Sequence, residues 1–158
     1  ILAVLAMLAT LAGCSGFRPL YGADAVQPGR YAFHYGAPAS RLDQIVYTEF
    51  RLRLGPESDD PDALQVTVST SAGGRNLTQT GTAKPATSAQ MVVTASLSVI
   101  TPDGEVVFSG TRSANANYTT VGQVLGDVEA QNEAAERGAK SVADTLRLAI
   151  LGALSRAP

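Results

Sequence analysis

The sequence predicts an α/β (α+β) protein: a four-stranded, mostly antiparallel sheet and two helices, in the order β-α-β-β-β-α. Three observations predict it. Leu64, Val66, Val68 and Thr70 alternate with polar residues, as do Met91, Val93, Ala95, Leu97 and Val99. That period of two belongs to strands with one buried face. Two other stretches, Ser40 to Arg53 and about Val121 to Ser155, carry apolar residues at helical spacing. Between the second and third long strands, Thr101-Pro102-Asp103-Gly104 is a hairpin turn.

Each element has its own signal. Arg30 to Tyr35 is a short strand with Tyr31, Phe33 and Tyr35 on one face and His34 on the other. Ser40 is a helix N-cap with Asp43 three residues on, close to a capping box. Leu42, Ile45, Val46 and Phe50 form the apolar stripe of that helix. Arg51 and Arg53 complement its dipole, and Gly55-Pro56 ends it. Glu57 to Asp62 holds four carboxylates but lacks a calcium-loop pattern, so it reads as a solvated turn. After the strand at Leu64–Thr70, Gly73-Gly74 reads as a bend, and Arg75 to Ser88 as a polar loop. The return strand carries Val106, Phe108, Gly110 and Arg112 on one face and runs toward Tyr118. The three strands form a meander with an apolar face and a Ser/Thr face. In the last helix, Val124, Val128, Asn132, Ala135, Ala139, Val142, Leu146 and Ile150 share a stripe. Gly126 and Gly138 weaken its middle.

Composition narrows the function. A chain of 158 residues suits one domain with a sizeable core. Charged residues are only 16%, and the net charge is −2, against the basic balance expected of a nucleic-acid binder. One Cys, one His and no Trp exclude an intramolecular disulfide and a Cys/His zinc site. Nucleophile–base chemistry of the familiar kind would have to run through His34 alone. We therefore expect no enzyme and no cofactor.

The first residues read as a targeting segment. Ile1 to Ala12 is apolar apart from Thr10 and uncharged. It has the length of a signal-peptide core and is too short to span a bilayer. The expected basic n-region would lie ahead of Ile1. The run closes in Leu11-Ala12-Gly13-Cys14, which resembles the bacterial lipobox. Cleavage between Gly13 and Cys14 and lipidation of Cys14 are the expectation. Residues 1–13 are then the signal, 14–29 a lipidated tether, and 30–158 the domain. The tether contains Phe17, Leu20 and Tyr21 around Pro19. A plain linker would be polar and Gly/Ser-rich, so this segment reads as one that docks on the domain or on a partner.

Cys14 through Gly22, with Gly-Phe-Arg-Pro-Leu-Tyr-Gly after an inserted Ser15, resembles the start of the LPS-assembly lipoprotein family LptE, in its alphaproteobacterial form. The run from Glu129-Ala130-Gln131 to Leu146-Arg147-Leu148 is also similar. The resemblance implies a small sandwich with two helices packed on one face of the sheet. It implies an outer-membrane lipoprotein, since Ser15 rather than Asp follows the Cys. Its partners would be the LptD β-barrel, which it plugs, lipopolysaccharide (LPS), and the outer membrane through the lipid anchor. Arg75, Lys84 and Arg112 are candidate contacts for lipid A phosphates, through charge-assisted hydrogen bonds. The alternative is a structural or pilot lipoprotein of another outer-membrane assembly machine.

Cys14→Ala is expected to leave the precursor uncleaved and unlipidated. Mass spectrometry of the membrane fraction checks this, and normal processing of the variant would refute it.

Overall fold

The computed structural model of the protein describes residues 31–77 and 87–156. The order is β1 (Phe33–Tyr35), α1 (Arg41–Arg53), β2 (Leu64–Asn76), β3 (Thr87–Ile100), β4 (Val106–Thr120) and α2 (Val124–Leu154). One mixed sheet runs β1-β2-β3-β4, parallel between β1 and β2 and antiparallel elsewhere. The predicted fold class and element order hold.

Period-two alternation sends every second side chain of the long strands to one face. Val66, Val68, Val93, Ala95, Leu97 and Val99 are buried there. Both helices cover that face. From α1 come Val46, Tyr47 and Phe50, and from α2 come Ala139, Val142, Leu146 and Ile150, all buried. Helix α2 lies over β3 and β4, while α1 lies beside it over β2. The helices are tied at their exposed sides by Arg41 to Glu136 and by Arg53 to Asp144.

The caps follow the sequence. Ser40 is the N-cap of α1, and its Oγ accepts the Asp43 amide at 3.1 Å. Asp43 itself is buried, and its Oδ1 has no partner among the described residues. Gly55 follows the helix at φ +141°, a left-handed conformation that side chains resist. Arg51 does more than answer the dipole. Its guanidinium lies 5.5 Å from the Tyr35 ring centroid and pairs with Glu57 at 3.0 Å. Glu57 therefore belongs to an ion pair, and the Ser58 amide donates to Phe33 O, closing the outer edge of β1.

Several boundaries differ from the sequence reading. Strand β1 is three residues long, because its partner stretch on β2 is only Leu64–Val66. Gly73-Gly74 is no bend: β2 stays in register with β3 as far as Asn76, with Gly73 opposite Val92 and Gly74 opposite Met91. A Cβ on Gly74 would meet the Tyr118 hydroxyl at 2.8 Å, so this glycine makes room for a ring crossing the sheet. Arg75 is accordingly in a strand. Helix α2 begins at Val124 and is continuous through Gly126 and Gly138. Its predicted stripe is buried only from Ala135 onward. Val124 and Val128 are exposed, as is Asn132. The reason is length: α1 begins opposite Glu136, so among the described residues no second helix flanks the first turns of the longer α2. No basic residue lies in the last turn of α2. Arg137 instead pairs with Glu133 at 2.6 Å and donates to Asn117 O at 2.8 Å.

Two tyrosines link the sheet to α1. Tyr35 Oη donates to Gly55 O at 2.9 Å. Tyr47 Oη accepts the Val68 amide at 2.9 Å. Burial pushes the Tyr35 hydroxyl up to about 12, against the lowering effect of Arg51. Burial also raises Tyr47, although its bond with Val68 opposes the shift.

Two predictions follow from this packing. A Cβ on Gly138 would meet Val93 Cγ2 at 2.5 Å, whereas one on Gly126 meets nothing nearer than 3.9 Å. Gly138→Ala should therefore destabilise the fold by roughly 1–3 kcal/mol. Gly126→Ala should be neutral or stabilise it by up to about 1 kcal/mol. Urea unfolding of the two variants reads the opposite signs. The second concerns alkali. Above about pH 10 the unfolded tyrosines lose protons that Tyr35 and Tyr47 keep in the fold, so the folded state binds more protons and stability falls as pH rises. Tyr35→Phe should make that decline shallower between about pH 10 and pH 11.5, measured by urea unfolding across the range.

Candidate functional site

Among the described residues no helix covers the second face of the sheet. This face carries the odd-numbered residues of β2, the even-numbered residues of β3 and, from Ser109 onward, the odd-numbered residues of β4; the bulge before Phe108 brings Val106, opposite Ile100, to the same face. Register stacks them into rungs: Thr67–Ser98–Ser109, Ser69–Ser96–Thr111 and Ser71–Thr94–Ser113. Hydroxyls bond across the rungs, with Ser96 Oγ and Thr111 Oγ1 at 2.9 Å and Thr94 Oγ1 and Ser113 Oγ at 2.9 Å. Such pairs stabilise a sheet by a few tenths of a kcal/mol to about 1 kcal/mol each. The next rungs are Gly73–Val92–Asn115 and Arg75–Gln90–Asn117. In the last, Arg75 Nε donates to Gln90 Oε1 at 3.0 Å, and Gln90 Nε2 donates to Asn117 Oδ1 at 3.1 Å. Arg75 is the one charged side chain on these five rungs. The alternation made this face legible in the sequence. The cross-strand hydroxyl pairs depend on register, which single strands do not reveal.

The candidate phosphate contacts do not gather in one place. Arg75 stands on the hydroxyl face at the end of β2. Arg112 pairs in register with the buried Ala95, which puts it on the helix side of edge strand β4. There it is exposed, with Nη1 donating to Thr111 O at 2.9 Å. The two arginines thus point to opposite sides of the sheet. Lys84 lies outside the described residues, as do Gly13, Cys14, the signal stretch and the tether.

His34 is exposed on β1, with Nδ1 at 3.8 Å from Glu57 Oε1. That carboxylate is distant from His34 in sequence, since the contact crosses from β1 to the turn after α1. Among the described residues, no cluster of three or more His, Cys, Asp or Glu could hold a metal ion. On the helix side, a cleft of about 500 Å³ opens between the first turn of α1 and α2. Leu42, Ala72, Met91 and Ala135 line it, with Glu129 and Glu136 beside them. Sequence reasoning missed this cleft, because it arises from the unequal lengths of the two helices. Val121, Val124, Leu125 and Val128 form an exposed apolar group at the start of α2. No helix among the described residues is long and apolar enough to cross a membrane.

No family model matches the sequence, and no curated protein does. Solved structures do match the fold. A candidate lipoprotein from Caulobacter crescentus CB15 aligns with 79% of this chain and 92% of its own, at 17% identity and a TM-score of 0.59. A minor lipoprotein from Acinetobacter baumannii aligns over 77% and 91%, at 12% identity and a TM-score of 0.53. Rare lipoprotein B from Shewanella oneidensis aligns over 77% and 93%, at 14% identity and a TM-score of 0.60. At these identities the likeness is one of fold: this chain shares its architecture with bacterial lipoproteins over nearly their whole length.

Proposed function

We propose that this chain is an outer-membrane lipoprotein of the LptE kind, seated in the lumen of an LptD-type β-barrel and taking part in delivery of LPS to the outer leaflet. The observation that carries the reading is a conjunction. A fold shared with bacterial lipoproteins follows a sequence whose single cysteine closes a lipobox and opens Gly-Phe-Arg-Pro-Leu-Tyr-Gly. The hydroxyl face supports it physically. Transmembrane barrels of the outer membrane have polar interiors, and a nearly uncharged polar face meets such a wall without burying unpaired charge. In this reading the protein performs no chemistry. It supplies a folded surface, and the acyl chains on Cys14 supply membrane affinity.

The two contributions are separable. A soluble version lacking residues 1–14 is expected to copurify with the barrel when both are overproduced, and depletion of the protein is expected to lower surface LPS and correctly assembled barrel. If no barrel copurifies and surface LPS is unchanged, the reading falls, and a subunit of another outer-membrane assembly machine takes its place. Arg75→Ala and Arg112→Ala are best measured separately, because they face opposite sides. A phosphate contact at either residue predicts weaker LPS binding by that variant, and weaker binding by the parent protein as salt rises.

A further inference from the structure

Strand β2 is paired on one side from Gln65 to Asn76, but β1 covers only Leu64–Val66 on the other. The outward row of backbone groups can be followed residue by residue. The Leu64 amide donates to Ala32 O, Val66 O accepts the Gly36 amide, and the Val68 amide donates to the Tyr47 hydroxyl, each at 2.9 Å. Antiparallel alternation puts Thr70, Ala72 and Gly74 next in that row. Among the described residues nothing hydrogen-bonds to their backbone on that side. Their side chains belong to the helix face, where the cleft between α1 and α2 stands beside them. Thr70 Oγ1 is buried there with no partner. The described residues therefore leave a half-edge of β2 unpaired, with a side-chain cleft directly over it.

We propose that Phe17–Tyr21 of this same chain adds to that half-edge as a fifth strand, antiparallel to β2, with Leu20 and Arg18 in the cleft. Reach and direction come first. The chain leaves this segment toward Tyr31, whose hydroxyl points to Leu154 O at the far end of α2. Ser71 lies seven residues along β2 from Leu64, about 23 Å at strand rise. The ten residues from Tyr21 to Tyr31 span up to about 33 Å. Run opposite to β2, the segment ends at the side nearer Tyr31 and leaves the link slack, whereas a parallel run would end beside Gly74 and need the ten residues almost fully extended.

Pro19 then selects the face. It has no N–H, so on an edge strand its backbone must point away from the neighbour. Arg18 and Leu20 are left to exchange bonds with β2. Partners in a hydrogen-bonded antiparallel pair share a face. Leu20 opposite Ala72 enters the apolar part of the cleft, against Leu42 and Met91. Arg18 opposite Gly74 comes beside Glu129, which has no ion-pair partner among the described residues. Phe17 and Tyr21 fall on the hydroxyl face. One imino acid thus matches the apolar and charged side chains of the segment to the apolar and acidic parts of the cleft.

Hydrogen exchange on the whole lipidated protein in detergent micelles tests the pairing. The amides of Thr70, Ala72 and Gly74 should be protected, and Leu20→Pro, which removes a bonding N–H outside the core, should speed their exchange at least tenfold. A second measurement fixes the register. With Cys14→Ser, Leu20→Cys should cross-link within one chain to Ala72→Cys through a short bismaleimide. It should do so at least tenfold more than to Ser96→Cys on the hydroxyl face. Arg18→Glu should lower that yield, and adding Glu129→Arg should restore it. The proposal is overturned if the three amides exchange freely in the parent protein or ignore Leu20→Pro. Protection that grows with protein concentration would mark a second copy as the occupant and overturn it equally, as would equal cross-linking at positions 72 and 96.

Discussion

The close approach of α2 to the sheet governs the rest of the molecule. Gly138 sits against Val93, and Ala134, Ala135, Ala139 and Ala143 flank it, all buried. Opposite them the sheet answers with small residues, Ala95, Ala114 and Ala116. Small against small lets a 31-residue helix lie low across β3 and β4. The larger side chains are displaced to the other half of the core, where Tyr47, Phe50, Leu146 and Ile150 fill the space between the helices and β1–β2. The core is thus graded, tight under α2 and bulky under α1. Losing the glycine would lift the helix and open both halves, because a close-packed interior has no slack to absorb a methyl group.

The same geometry creates the unoccupied features. Helix α1 has 13 residues, about 20 Å, while α2 runs about 46 Å. Two helices of such unequal length on strands of 13 to 15 residues cannot cover one sheet face evenly. The cleft, the free half-edge of β2 and the exposed start of α2 all lie at the end where α1 is missing. At the opposite end, the Ser58 amide donates to Phe33 O along the outer edge of β1. An exposed strand edge invites pairing with other chains. Among the described residues it occurs twice, along the outer side of edge strand β4 and on this half-edge of β2, and only the second stands beside a cleft.

Much of this was legible in the sequence. Alternation at Leu64–Thr70 and Met91–Val99 assigned the strands and the two faces, and Ser40 with Asp43 marked the start of α1. What failed was local reading where a tertiary contact decides. Gly73-Gly74 looks like a bend until Tyr118 is seen crossing Gly74. Gly138 looks like a weak point until Val93 is seen beneath it. Val124 and Val128 keep helical period with the core stripe, yet remain exposed, because periodicity gives direction and says nothing about what lies in that direction. The arginines failed in a related way: Arg75 and Arg112 are separable only once register assigns each a face.

The hydroxyl face poses a last question, whether it is built for water or for a partner. A face meant only for water can carry Lys and Glu freely, and typical soluble surfaces do. These rungs carry one charge, on Arg75, and that guanidinium is already bonded to Gln90. Several hydroxyls are likewise satisfied across the strands before anything approaches. Covering such a surface strips little water from charges and leaves those groups with bonds intact, whereas covering a charged face would cost several kcal/mol per ion. Rigidity helps as well, because Ser and Thr have few rotamers to lose, unlike long charged side chains. The face therefore combines low desolvation cost with low ordering cost, a pairing of properties that solvent exposure alone does not require.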